Sequence, residues 1–241
     1  MSDAVTTRRT GRGLLLARSA HPKQALFFAA LVGVLAAADG RATRECLVAA
    51  GAVLAVQLSL GLDNDLADAQ HDYRAQTPGK PVASGALPTE SASYAMYVLI
   101  LLAIPLAAFN GSIAAVALLV TLPLGWLHNH WLHRTAFSFV AWTLTFAVAP
   151  AFLAYGGWGG KLHGDAPTWA VTGAAAAVGF CWHLVTTLGD LVADNKAGAR
   201  NLPLRLALRI GAPRLLLVTI LLSGLAVAGL VAAVLGTGLR Q

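Results

Sequence analysis

The 241-residue chain is 57% hydrophobic and only 12% charged, with 17 Lys plus Arg against 11 Asp plus Glu. A soluble domain averages about 45–50% apolar and about 25% charged, so this composition excludes an ordinary soluble domain and reads as a multispan membrane protein. The net charge of +6 does not argue for a nucleic-acid partner, because the basic residues sit mainly in short loops between apolar runs, as membrane orientation requires.

The chain opens on a polar stretch over residues 1–23 that holds Arg8, Arg9, Arg12, Arg18 and Lys23. It is expected to be a cytoplasmic basic tail, with a short interfacial helix around Leu14–Leu16. It lacks the short apolar core and small-residue cleavage site of a signal peptide. Residues 24–241 are expected to form a single transmembrane helical domain. Apolar runs predict seven spans, approximately 24–38, 45–62, 92–108, 113–132, 137–155, 168–188 and 214–235. The first is short for a bilayer. Asp39-Gly40-Arg41 reads as a turn. A long connection over 63–90 carries Arg74, Pro78, Gly79, Lys80, Pro81, Gly85 and Pro88, and long loops in compact proteins tend to be functional. His133-Arg134 links spans four and five. A glycine-rich loop with Lys161 and Asp165 precedes span six, and a basic segment with Lys196, Arg200, Arg205 and Arg209 follows it. Cys46 and Cys181 lie in apolar runs without metal-ligand spacing and read as small buried thiols.

With a cytoplasmic N-terminus, thirteen of the seventeen Lys and Arg residues fall on the cytoplasmic side, in keeping with the positive-inside rule. The same orientation puts two acidic clusters on that side. Six of the eleven acids (Asp63, Asp65, Asp68, Asp72, Asp190 and Asp194) lie in these clusters, after spans two and six. Acids at membrane ends are costly and usually functional.

In Asn64-Asp65-Leu66-Ala67-Asp68-Ala69-Gln70-His71-Asp72, read as helix, Asp65, Asp68 and Asp72 share one face. Like charges on one face repel unless a cation sits between them. A hard divalent ion with oxygen ligands, Mg²⁺, is the natural partner. Two facing carboxylate clusters with basic neighbours describe a site for Mg²⁺ and a polyanion. Candidates for the basic role are Arg74, Lys80, Arg134, Lys196 and Arg200, each alternatively a topology-setting surface charge. Asn64 is a neutral oxygen ligand or a helix cap. An apolar cavity above such a site suits a lipid diphosphate, whose allylic cation needs dry walls. Gln57 and His183 lie two turns before Asn64 and Asp190. They are candidates for binding an acceptor or taking a proton, or are polar groups satisfied by a neighbouring helix. Trp126, Trp131, Trp142 and Trp182 could shield a cation or simply mark the interface.

Asn64-Asp65-x-x-Asp68-x-x-x-Asp72, followed by Arg74 and Lys80-Pro81-Val82-Ala83-Ser84-Gly85, resembles the first aspartate motif and basic loop of the UbiA-type intramembrane prenyltransferases. Asp190-x-x-x-Asp194-x-x-x-Gly198-x-Arg200-Asn201-Leu202-Pro203 resembles their second motif. The resemblance runs from about His21 to the end. It implies an all-α bundle around a central cavity and Mg²⁺-dependent transfer of an isoprenyl group from a prenyl diphosphate, usually to an aromatic or quinone-precursor acceptor. Asn64, Asp65, Asp68, Asp72, Asp190 and Asp194 would hold Mg²⁺ and diphosphate. Arg74 and Lys80 would contact phosphate, and Asp190 or Asp194 could take the acceptor proton. Where many members carry Tyr-x-x-x-Lys at the end of span four, this chain has His128 to Arg134, so His133 or Arg134 stands in for the lysine; a histidine would be only partly charged near neutral pH. The family usually has nine spans, against about seven here. A terpene cyclase on the same scaffold, acting without an acceptor, is the alternative reading. A non-catalytic membrane subunit that binds lipid phosphate is a third. The prenyl length, the acceptor and the oligomeric state are not legible in the residues.

Overall fold

The computed structural model describes residues 11–157 and 165–240. Arg8, Arg9 and Lys161 lie outside the described residues. The elements are α1 (Arg12–Ser19), α2 (Pro22–Ala38), α3 (Thr43–Ala67), α4 (Ala69–Ala75), α5 (Thr89–Ala108), α6 (Ser112–Leu119), α7 (Thr121–His130), α8 (Val140–Ala154), α9 (Trp169–Thr187), α10 (Leu191–Lys196), α11 (Leu202–Ile210) and α12 (Ala212–Thr237). Short 3-10 turns at Leu132–Arg134 and Leu188–Asp190 follow α7 and α9. Among the described residues there is no strand, only an isolated bridge between Pro167 and Arg240. An all-helical chain is what apolar segments require in lipid, where each backbone group must be satisfied within its own segment.

Each predicted span corresponds to helix, but the count of seven is approximate. Five helical stretches are long and apolar enough to cross a membrane: Thr43–Ala67, Thr89–Ala108, Ser112–His130, Trp169–Lys196 and Ala212–Thr237. Helix α2 meets that standard only together with α1, from which it is bent by 67°. Helix α8 has 15 residues, about 22 Å at the α-helical rise against about 30 Å of hydrocarbon. The predicted fifth span loses its first turn because residues 136–139 fold as turns, pinned where the Phe137 amide donates to Thr135 Oγ1 at 3.2 Å. Span four is not continuous. It breaks at Val120, between α6 and α7, because Pro123 offers no N–H to the preceding turn. The basic segment after span six, predicted as a connection, holds α10 and α11.

Helix α3 is central, packed against α2, α5 and α7, while α8 lies on α9 and α9 carries α12. The main core sets Ala49, Ala52, Ala55, Ala103, Ala107 and Ala114 against Val56, Leu118 and Phe152. Small side chains let these helices approach closely, which is how helices associate without a hydrophobic drive in lipid. A second core under α1 gathers Ala20, Leu62, Val82, Leu87 and Met96, with Leu15 and Leu16 of α1 packed on it. The N-terminal helix is thereby fastened to the bundle. Gly61 makes this possible: a Cβ there would run into the Ala20 carbonyl.

At one end of the bundle lie the last turn of α3, the start of α10 and the 3-10 turn after α7. The other end is closed by charge. Arg240 clamps Asp39 with two bonds of 2.6 Å and donates from Nε to the Ala154 carbonyl at 2.9 Å. Arg41 pairs with Asp39 at 3.5 Å and donates to the Leu153 carbonyl. Burial alone would push the Asp39 carboxyl up, but the Arg240 fork and Arg41 outweigh it and hold it below its ordinary value.

Candidate functional site

Helix α3 runs five residues past the predicted end of span two and carries Asp63, Asn64 and Asp65 in its last turns. The helix pauses at Asp68 and resumes as α4, which carries Asp72 and Arg74. Asp65 and Asp72 therefore stay on one face, two turns apart. Lys80 reaches back from the loop and sits between them, its Nζ 3.3 Å from Asp65 Oδ1 and 3.4 Å from Asp72 Oδ2. The Asp65 side chain is 1% exposed, and neither of its oxygens accepts a well-aligned hydrogen bond. Asp72 Oδ2 is orphaned in the same way. The Lys80 ammonium is the nearest countercharge to both.

Asp68 turns toward the stretch after α7. It accepts from Asn64 Nδ2 at 3.2 Å, with His133 Nε2 at 3.8 Å and an Arg134 guanidinium nitrogen at 3.9 Å. Arg134 Nε donates to His133 Nε2 at 2.9 Å. Burial pushes the His133 imidazole below its ordinary value, against the opposing pull of Asp68 and Asp194. Burial thus favours its neutral form, and the fixed positive charge here belongs to Arg134.

The second cluster approaches the first. Asp190 lies within electrostatic range of Asp194 and of Lys80, and Asp194 within range of His133. A backbone bond of 2.9 Å from the Arg200 amide to the Arg134 carbonyl ties the two loops together. Residues about 120 positions apart thus share one end of the bundle. Asn201 fixes Asp194: Nδ2 donates to Asp194 Oδ2 at 2.7 Å, while Oδ1 caps α11 by accepting from the Leu204 amide at 2.9 Å.

Several predicted residues lie elsewhere. The Arg74, Lys196 and Arg200 side chains are exposed, and no ion pair joins them to the carboxylates among the described residues. Gln57 is half-buried on α3. His183 is buried and tied to Ser138, whose Oγ lies 2.9 Å from His183 Nε2 and accepts from the Leu202 amide at 3.2 Å. It serves there as a strut between α9 and the start of α11. Asp63 points away from the cluster, toward α7, where it accepts from Asn129 Nδ2 at 2.8 Å and meets His130 Nε2 at 3.1 Å. The spacing held that signal, since Asp63 and Asp65 are two positions apart and residues at i and i+2 of a helix point to nearly opposite faces.

Among the described residues, no three carboxylate, imidazole or thiol groups converge to hold a metal ion as they stand. The Lys80 ammonium occupies the space between Asp65 and Asp72. The donor set nonetheless fits a hard divalent ion: the donors are carboxylate or amide oxygens, and three buried carboxylate oxygens lack hydrogen bonds. Beyond His133 an aromatic wall continues inward. His128 packs on His133 and Trp142, and Trp142 leads to Trp182, Phe146, Phe28 and Phe27, with successive ring centroids 5.1–6.5 Å apart.

The sequence matches the model of the UbiA prenyltransferase family over residues 3–240. No curated protein matches it. The fold is similar to that of a UbiA homolog from Archaeoglobus fulgidus bound to DMAPP and Mg²⁺, with TM-score 0.69 and 18% identity over 89% of this chain and 75% of that one. The same homolog bound to GPP and Mg²⁺ gives TM-score 0.69 and 18% identity over 89% and 76%. A structure of digeranylgeranylglyceryl phosphate synthase gives TM-score 0.61 and 15% identity over 95% and 89%.

Proposed function

The chain belongs to the UbiA prenyltransferase family, and from that premise we propose that it is an Mg²⁺-dependent intramembrane prenyltransferase that moves an isoprenyl group from a prenyl diphosphate to an aromatic or lipid-like acceptor. The observation that supports this reading is the approach of the two acidic clusters to one another, both within electrostatic range of Lys80 and His133 and tied by the Arg200–Arg134 backbone bond. The A. fulgidus homolog of the same fold binds DMAPP or GPP together with Mg²⁺.

Asn64, Asp65, Asp68, Asp72, Asp190 and Asp194 are the residues that would hold Mg²⁺, which when bound neutralises the diphosphate and makes it a better leaving group. The remaining work falls to this chain's own groups. Lys80 exchanges its carboxylate partners for phosphate oxygens, and Arg134 adds a second fixed cation. His133, its Nδ1–H donated to the His128 carbonyl at 3.0 Å and its Nε2 accepting from Arg134 Nε at 2.9 Å, orients that guanidinium rather than binding phosphate itself. The C–O bond to the diphosphate breaks, its electron pair leaving with the diphosphate. The allylic cation forms against the wall that runs from His128 and Trp142 to Phe27, where ring faces stabilise positive charge and keep water out. The acceptor supplies the new bond, and its proton goes to Asp190 or Asp194.

That aromatic wall also favours a second reading, a terpene cyclase in which the cation is quenched within its own chain. Incubation of purified protein with Mg²⁺ and prenyl diphosphates, with and without aromatic acceptors, separates the readings. Turnover that needs an acceptor supports the transferase. Cyclic hydrocarbon or alcohol without acceptor supports the cyclase. Asp68→Ala and Asp194→Ala should each abolish Mg²⁺-dependent turnover in folded protein, and retained activity in both sinks the assignment. The site and the N-terminus are proposed to face the cytoplasm, since most Lys and Arg residues lie toward that end. Labelling of Lys196→Cys by an impermeant maleimide only from the cytoplasmic side tests the orientation.

A further inference from the structure

One polar group at the site has no part in the chemistry above. His21 lies at the 67° bend between α1 and α2, and its backbone is left-handed, with φ 50° and ψ 56°. Residues with a Cβ rarely adopt that region. Pro22, which follows, further restricts the backbone before it. Backbone strain of this kind persists only where the surroundings enforce it, and it gathers at ligand sites. Here Ala20, 4% exposed, is seated on the bare backbone of Gly61, and the Ala25 amide bonds the His21 carbonyl at 3.2 Å to start α2.

The strained corner delivers an imidazole to the acidic cluster. The His21 ring faces the Asn64 amide and lies within electrostatic range of Lys80, Asp65 and Asp68. Its Nε2 is sealed from solvent, and although the Asn64 side chain lies within hydrogen-bonding reach of the ring, no well-aligned hydrogen bond satisfies that nitrogen. A histidine kept only for packing has its buried nitrogens satisfied. The positive end of the α2 dipole lies at the same place, which suits an anion.

We propose that His21 binds the substrate directly, its Nε2 donating a hydrogen bond to a phosphate oxygen of the prenyl diphosphate held beside Asn64 and Asp65. This rests on the diphosphate reading of the site. The partner is phosphate and not the cation, because Mg²⁺ takes oxygen ligands, whereas an imidazole N–H supplies the donor that a phosphate oxygen accepts.

The test uses the full-length protein in detergent, with His21→Gly and His21→Asn beside the parent. Inorganic pyrophosphate is titrated by calorimetry with Mg²⁺ present, Mn²⁺ binding without pyrophosphate is followed by electron paramagnetic resonance, and each protein is melted. His21→Gly relieves the left-handed backbone, so it should melt no lower than the parent and bind Mn²⁺ equally well. It should bind pyrophosphate roughly tenfold more weakly, the usual worth of one hydrogen bond to a charged group. Asparagine tolerates the left-handed region and carries an N–H donor, so His21→Asn should recover part of the loss. Parent-like pyrophosphate affinity in His21→Gly overturns the proposal, and so does a parallel loss of Mn²⁺ binding, which would place His21 behind the metal ligands. Failure of the parent protein itself to bind pyrophosphate overturns the diphosphate reading instead, and this assignment with it.

Discussion

Removing the Lys80 ammonium leaves Asp65 and Asp72 facing each other without a countercharge. Lys80→Met should lower stability in metal-free buffer by about 3 kcal/mol, the scale for breaking a buried ion pair. Added Mg²⁺ should recover much of that loss in a thermal melt, and Mn²⁺ should bind more tightly than to the parent, because its competitor is gone. Turnover should still fall, since the phosphate loses a cation. Asn201 permits a finer separation, because one side chain caps α11 and orients Asp194. Asn201→Thr keeps a capping oxygen and loses the amide that holds Asp194, so its melting temperature should stay near the parent's while Mn²⁺ affinity falls. Asn201→Ala loses both and should cost about 1 kcal/mol in stability as well. At this scale the sequence was legible where spacing speaks, as for Asp65 and Asp72 on one helical face. It was silent about His21, which is 43 positions from Asn64. Only the close seat of Ala20 on Gly61 brings the two together, and no local pattern announces such a contact.

Among the elements, the α1–α2 corner depends on a single absent side chain. Gly61→Val would drive a branched side chain into the Ala20 carbonyl. Overpacking of that kind costs about 1–3 kcal/mol. The corner should lift away from α3, seen as a lower melting temperature and weaker pyrophosphate binding in the same protein. Most helices were readable as apolar runs, because length and hydropathy are the same physical demand in a bilayer. The breaks were harder to read. Pro123 interrupts a run that is apolar on both sides, so hydropathy alone passes over Val120. Helix α11 is short and carries Arg205 and Arg209 on an exposed face, so its charge masks it. Its start was nonetheless written in Asn201-Leu202-Pro203, a capping residue followed by a proline in the first turn.

Across the whole molecule the two ends differ in kind. The end opposite the carboxylates is closed by the Asp39–Arg240 clamp, with partners over two hundred positions apart in sequence. Because the Asp39 carboxyl is held below its ordinary value, its stabilising contribution is complete above the usual carboxylate range of about pH 4. It is lost as pH falls through the lowered value. Asp39→Asn should therefore melt lower at neutral pH and lose part of the parent's acid sensitivity, as thermal melts across pH 2–6 would report. The architecture was legible as a bundle because composition dictates it, whereas this clamp, built from charges outside the apolar runs, was not. At the opposite end, Lys80 means that the resting protein carries its own counter-ion. Insertion and folding then need not wait for magnesium, unlike small zinc domains that collapse without their ion. The protein should come through purification in EDTA intact, idle but ready, and regain activity as soon as the salt is restored.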